Sequence, residues 1–271
     1  MYSIFTLLNT PYKIFGEIWV KSLIDKVDLS KVDYIFIADT GLDSDTLNHL
    51  TSLHSKVHIV KTGINNGFTG VHSTEWRDIV TNKTKILNHI FYEYKKPVVM
   101  VDVDCMFLKD ISHLIDTRFD LSACFRGWDH MHSPFLGSFV ILNTDAGADF
   151  VNKWHELQST ITTPNRESPA LTKAVVQYTS ALYRDNESNY NIGTIPESVV
   201  NCRHISEQTK ETVLVHFKSG GSGGDIDQRI IGGIKRSGYL TSVYSYSKEV
   251  FNTGIIGADQ KSLKELNYFK D

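Results

Sequence analysis

Val98-Val99-Met100-Val101-Asp102-Val103-Asp104-Cys105-Met106-Phe107 is the stretch whose reading decides the fold. From Pro97 to Val101 it is apolar and rich in Val, the pattern of a strand buried on both faces. Asp102 and Asp104 end that run before the chain returns to Met106, Phe107 and Leu108, so a strand is expected over Val98 to Asp104. In an open α/β sheet, ligands bind beyond the carboxyl ends of the strands. Two carboxylates held close together there are costly unless a cation or a shared proton neutralises them. The simplest cation is a hard divalent one, Mg²⁺ or Mn²⁺, which takes oxygen ligands and leaves positions open for phosphate oxygens.

Outward from this stretch, the preceding chain alternates strands and helices. Strands are expected at Tyr2 to Leu8, Asp33 to Ala38 and Val57 to Val60. Helices are expected after Asn9-Thr10-Pro11, at Asp43 to Leu53, and at Ile79 to Tyr94 with Ile86, Leu87, Ile90 and Phe91 as its apolar stripe. Asp39-Thr40-Gly41 closes the second strand as a turn, and Gly63 to Ser73 is a polar, glycine-containing loop. This βαβαβ order predicts an α/β fold with a Rossmann-like, mainly parallel central sheet flanked by helices. Further on, strands are expected at Phe119 to Phe125, Ser138 to Asn143 and Thr212 to Phe217, with helices at Ala146 to Leu157 and Leu171 to Tyr183.

A chain of 271 residues, 41% hydrophobic and 22% charged, can bury a sizeable core within one α/β domain. A net charge of -3 gives no bulk electrostatic reason to expect nucleic acid. Cys105, Cys124 and Cys202 are odd in number and lack metal-type spacing, which fits free thiols in a reducing compartment. The N-terminus reads as a first strand, with no basic leader, and no apolar run reaches the length of a membrane span. A cytoplasmic protein is therefore expected.

Taken in order, these segments resemble nucleotide-sugar-dependent glycosyltransferases of the GT-A fold, most closely the glycogenin/galactosyltransferase-like and plant cell-wall glycosyltransferase-like groups. Tyr2 to Thr10 is similar to the opening strand that meets the nucleotide base. Phe36-Ile37-Ala38-Asp39-Thr40-Gly41 is similar to the second strand and its acidic turn, and Val101-Asp102-Val103-Asp104 to the metal motif. Gly137-Ser138-Phe139-Val140-Ile141-Leu142-Asn143 is similar to the strand that follows it. Gly193-Thr194-Ile195-Pro196-Glu197-Ser198-Val199-Val200-Asn201 and Val213-Leu214-Val215-His216-Phe217 are similar to two late segments, the second ending in a metal-binding histidine. Three departures stand out, one being that Lys218 comes early and a run of glycines follows where relatives often continue after the histidine to a Gly and then a Lys. Leu136-Gly137-Ser138 occupies a place where relatives often carry Asn-Ser-Gly or Asn-Thr-Gly, and Glu167-Ser168-Pro169 lies where an Asp-Gln pair is usual.

The resemblance implies a single GT-A domain over 1-271, with a nucleotide-binding half at 1-104, an acceptor and metal half at 105-224, and a tail at 225-271. It implies a Mn²⁺ or Mg²⁺ ion on Asp102, Asp104 and His216. The donor is a nucleotide sugar, a UDP-sugar in expectation, held by Thr6, Leu7, Asn9, Asp39, Lys85, Asp102, Val103, Lys218, Gly220 and Gly221. The acceptor, a glycan or another hydroxyl compound, meets Arg126, Trp128, Asp129, Gly137 and Ser138. Transfer is expected with retention, and no nucleophile is singled out. The chemistry agrees with the residue types: a divalent ion neutralises a diphosphate leaving group, lysine acts as a point charge, and glycine lets backbone N–H groups approach phosphate. His130 and His132 lack a third ligand at zinc spacing. Two other readings stay open. One is a haloacid-dehalogenase-like phosphatase, with Gly224-Asp225-Ile226-Asp227 as its second acidic motif, and the other is a catalytically inactive GT-A binding module.

Overall fold

The computed structural model describes residues 1–64, 74–130, 133–163, 165–179, 190–218 and 226–247. In chain order the elements are β1 (Tyr2–Leu8), α1 (Lys13–Lys26), β2 (Val32–Asp39), α2 (Ser44–Ser52), β3 (Val57–Lys61), α3 (Thr74–Tyr94), β4 (Val98–Val101) and β5 (Cys105–Phe107). There follow β6 (Leu121–Phe125), β7 (Phe135–Leu142), α4 (Asp145–Gln158), α5 (Glu167–Thr179), β8 (Ile192–Pro196), α6 (Glu197–Val200), β9 (Leu214–His216), α7 (Ile226–Ser237) and α8 (Leu240–Tyr246). A 3₁₀ turn at Thr10–Tyr12, with Pro11 inside it, leads from β1 into α1. Side chains start two other helices: Asp43 accepts from the Thr46 N–H at α2, and Thr144 from the Gly147 N–H at α4.

Seven strands form the main sheet in the order β3-β2-β1-β4-β7-β6-β8. Strands β1 to β4 run parallel, β7 is antiparallel to both β4 and β6, and β8 is parallel to β6. The chain winds outward from β1 to β3, then returns through α3 to place β4 on the other side of β1. This reversal makes the switch point between β1 and β4, where an open α/β sheet binds its ligand.

The continuous apolar runs follow from burial on both faces. On one face, Trp19 and Leu23 of α1 and Leu50 of α2 cluster with Ile4, Ile35, Ile37, Val99 and Val101. On the other, Leu87 and Ile90 of α3, Phe150 and Trp154 of α4 and Leu171 of α5 cluster with Phe5, Phe36, Met100 and Val140. Each such side chain fully withdrawn from water contributes about 1.5–3 kcal/mol. All three cysteines are free and buried.

The structure corrects the sequence reading at the metal motif. Strand β4 stops at Val101, not Asp104, and the chain re-enters β structure at Cys105 in a separate two-stranded sheet with β9. The late strand is correspondingly shorter than Thr212 to Phe217. Strand β7 begins at Phe135, three residues before the expected Ser138, and α3 begins at Thr74, five before Ile79. Of the expected Gly63 to Ser73 loop, residues 65–73 lie outside the described residues, as do residues 180–183 of the expected fifth helix.

Candidate active site

The break after β4 builds the site. The Asp102 N–H still donates to the Ser138 carbonyl, at 2.9 Å, extending the β4–β7 pairing by one residue. The chain then turns, and antiparallel pairing of β5 with β9 puts Cys105 opposite His216. The Phe217 N–H donates to the Asp104 carbonyl at 2.8 Å, closing this small sheet at the turn. Asp104 therefore meets the end of β9, and its Oδ1 lies 3.1 Å from His216 Nε2. A satellite core of Phe15, Ile18, Met106, Val215, Phe217 and Ile234 holds this sheet on α1 and α7. Burial opposes the charge of Asp104, but His216 and, beyond it, Lys83 hold its carboxyl below the ordinary range.

Three side chains that the sequence reading did not select complete the constellation. Lys83 on α3 is 8% exposed, its ammonium donates to Asp102 Oδ1, and it lies 3.0 Å from Glu167 Oε1. Burial disfavours its charge, yet Asp102 and Glu167 outweigh that and raise its pKa. Glu167 stands in the first turn of α5, 6% exposed, and burial pushes its carboxyl up to about 7 despite Lys83, with Asp102 adding to the rise. Asn201, fully buried after α6, contacts the outer nitrogen of His216. The sequence carries one signal for Lys83, its place four residues after Ile79 and four before Leu87, on the inward stripe of the helix. Lys85, the expected phosphate contact, is exposed on the same helix.

Gly137 on β7 lies against Glu167. A Cβ there would stand 2.5 Å from Glu167 Cδ and 2.6 Å from its Cγ. Because Lys83 pins that carboxylate, Gly137→Ala is expected to destabilise the protein by about 1–3 kcal/mol through overpacking. Urea denaturation measures this, and an unchanged midpoint would mean that Glu167 swings free.

The other expected site residues divide into groups. Thr6 and Leu7 are buried at the switch-point end of β1, and Thr6 Oγ1 lacks a hydrogen-bond partner among the described residues. Asn9 precedes the 3₁₀ turn, and its side chain does not cap it. Asp39 is engaged by its own chain: the Gly41 and Leu42 N–H groups and Lys61 Nζ all donate to its carboxylate. Gly41, at φ +117°, makes that turn possible. Val103 is half-buried between the two aspartates.

Lys218 follows β9 and reaches solvent, but its ammonium is crowded. Loss of water around it, then the nearby Arg203 and Arg126, push its pKa below the usual lysine value. Arg126 is anchored by its Nε–H to the Ser133 carbonyl, at 2.8 Å. Trp128 is 61% exposed, its ring set edge-on against Phe125 and Phe135 with centroids 5.6 and 5.7 Å away. Asp129 and His130 are exposed. Ser138 Oγ donates to Asn201 Oδ1 at 3.3 Å. Gly220, Gly221, His132 and Gly224-Asp225 lie outside the described residues.

The grouping of Asp104, Cys105 and His216 brings three potential metal-binding atoms within 4.8 Å of one another. Burial, then Asp104 and Asp102, raise the Cys105 thiol well above its ordinary pKa, so it keeps its proton. What remains is a carboxylate and imidazole donor set, which fits a hard or borderline divalent ion.

A Rossmann-like sheet whose switch point faces an Asp-x-Asp turn and a strand-end histidine defines the class as GT-A glycosyltransferases. The chain belongs to the nucleotide-diphospho-sugar transferase family, whose model matches residues 33–226. The phosphatase reading falls with that match. No curated protein matches the chain in sequence. Among solved structures it is similar to the WbbM bifunctional glycosyltransferase in its apo form, with TM-score 0.55 and 13% identity over 91% of this chain and 52% of that one. It is also similar to an active-site mutant of LgtC, with TM-score 0.51 and 11% identity over 81% of this chain and 88% of that one. At these identities the likeness is one of fold, and the chain spans about half the length of WbbM. No helix among the described residues is long and apolar enough to cross a membrane.

Proposed function

We propose that this glycosyltransferase takes a UDP-sugar and transfers its sugar to a hydroxyl of a glycan or similar acceptor, with a divalent ion at Asp102, Asp104 and His216. The observation that carries the reading is the approach of Asp104 Oδ1 to His216 Nε2 at 3.1 Å, at the carboxyl end of β4. When bound there, Mn²⁺ or Mg²⁺ supplies Lewis-acid neutralisation of the diphosphate. Asp104 and His216 supply the direct ligands, and Asp102, fixed by Lys83, serves the ion's water or the donor ribose.

The chain's own residues do the rest. Lys218, with Arg126 and Arg203 close enough to lower its pKa, places positive charge beside the aspartates, where leaving-group charge grows. Thr6 offers an unpartnered hydroxyl where the base and ribose enter at β1. Trp128 offers an exposed aromatic face to an acceptor sugar. Retention of anomeric configuration is carried by the resemblance of the ordered segments.

The test is a panel of nucleotide sugars incubated with Mn²⁺ and scored for nucleotide release. UDP release from a UDP-sugar is expected, with chelator reducing it to background and added Mn²⁺ or Mg²⁺ restoring it. Turnover unaffected by chelator would refute the metal assignment, and failure of every nucleotide sugar to turn over would refute the donor assignment.

A further inference from the structure

The position of His216 is fixed from behind by a chain of groups whose chemistry permits one arrangement. Asn201 Nδ2 donates to Glu197 Oε1 at 2.7 Å, and Arg203 donates to the same oxygen at 2.7 Å. An ionised carboxylate only accepts, so the Asn201 amide must turn its NH₂ toward Glu197. Its carbonyl oxygen then faces His216 Nδ1, 2.5 Å away, and also accepts from Ser138 Oγ at 3.3 Å. An amide oxygen is likewise only an acceptor, so His216 must carry a proton on Nδ1. Nε2, 3.1 Å from Asp104 Oδ1, donates to that carboxylate in the metal-free chain, and with Nδ1–H held by Asn201 it is at Nε2 that a cation can take the proton's place.

The backbone locks the same arrangement. The His216 N–H donates to the Cys202 carbonyl at 2.8 Å, and Cys202 bridges to Val215, so the segment carrying Asn201 is tied to β9. Asn201 is fully buried and His216 is 3% exposed, so water does not compete for Nδ1.

We infer that Asn201, oriented by Glu197 and Arg203, is a positioning residue that sets the His216 tautomer and so presents the Nε2 lone pair to a divalent cation. The inference rests on the metal assignment above only for what Nε2 faces. The tautomer itself is independent of it.

The test uses the whole metal-free chain with ¹⁵N-labelled histidine at mildly alkaline pH. Long-range ¹H–¹⁵N correlation reports which ring nitrogen carries the proton, and a His216→Gln variant assigns the signal. His216 is expected to show a protonated Nδ1 in the metal-free chain and a bare Nε2 once Mg²⁺ is added. Asn201→Ala is expected to lose that preference. Glu197→Gln, which lets the Asn201 amide flip, is expected to mix the two tautomers and keeps the test open should Asn201→Ala fail to fold. Mn²⁺ affinity of the donor-free protein, read from the free-ion signal in electron paramagnetic resonance, is expected to fall about tenfold to hundredfold in both variants.

A wild-type His216 whose Nδ1 carries no proton overturns the inference. So does a tautomer unmoved in the variants. If the tautomer responds as expected but wild-type chain binds no Mn²⁺, the metal assignment fails and the presentation of Nε2 to a cation falls with it.

Discussion

Asp104→Ala is expected to reduce kcat/KM for nucleotide-sugar turnover by on the order of a thousandfold or more. In the proposed metal site, loss of a direct ligand would remove several kcal/mol of charge stabilisation from the departing diphosphate, and each 1.36 kcal/mol is about a factor of ten. The fold should survive. Asp104 is only half-buried, and its side chain's one close partner among the described residues is His216. The carboxylate is held there for its charge, since burial alone would expel it. A stability change within about 1 kcal/mol is therefore expected in urea. Asp104→Asn, which keeps the shape and loses the charge, should be nearly as inactive. Steady-state kinetics with Mn²⁺ held constant is the measurement. A variant within a few-fold of wild type would remove Asp104 from the reaction and shift the neutralising role to Lys218, Arg126 and Arg203.

The fold was legible where burial on two faces leaves a simple trace. The runs at Tyr2–Leu8, Val32–Asp39 and Val98–Val101 are apolar because helices cover both sides of the sheet, and that pattern survives in one dimension. The end of β4 was harder to place, because Val103 and Cys105 continue the apolar look while the chain in fact leaves the main sheet. Asp104 and His216 were legible singly, as charges at strand ends; their meeting depends on the β5–β9 register, which local sequence does not encode.

Lys83 was not among the residues selected from the sequence, and a lysine on an apolar helical stripe ordinarily runs its stem to solvent. Only the folded chain brings two carboxylates to that stripe, one from β4's end and one from α5. Glu167 was visible as a departure from the family's usual pair. Its role was not visible, because it arises from the glycine opposite, Gly137, which leaves room for the carboxylate.

Lys83→Met should be the most destabilising single substitution in the site, at about 3–5 kcal/mol near neutral pH, because it strands buried carboxylates without their cation. Lys83 is 8% exposed and Glu167 6%, so water cannot easily replace the lost partner. The loss should depend on pH with a definite sign. Burial and Asp102 raise the folded-state pKa of Glu167 to about 7 from an ordinary 4.5, so the folded protein binds the extra proton more tightly than the unfolded chain. Its contribution to stability is full below about 4.5 and disappears as pH rises through about 7. Without Lys83 that pKa climbs further, so the variant should be closest to wild type in acid and fall furthest behind above neutrality. Lys83→Met combined with Glu167→Gln should recover part of the deficit and flatten the pH dependence, since the double variant leaves Asp102 as the single stranded carboxylate. Urea midpoints across pH for the wild type, the single variant and the double variant supply the cycle. A single variant that loses less than about 1 kcal/mol above neutrality would mean that Lys83 is not the cation holding Asp102 and Glu167 together.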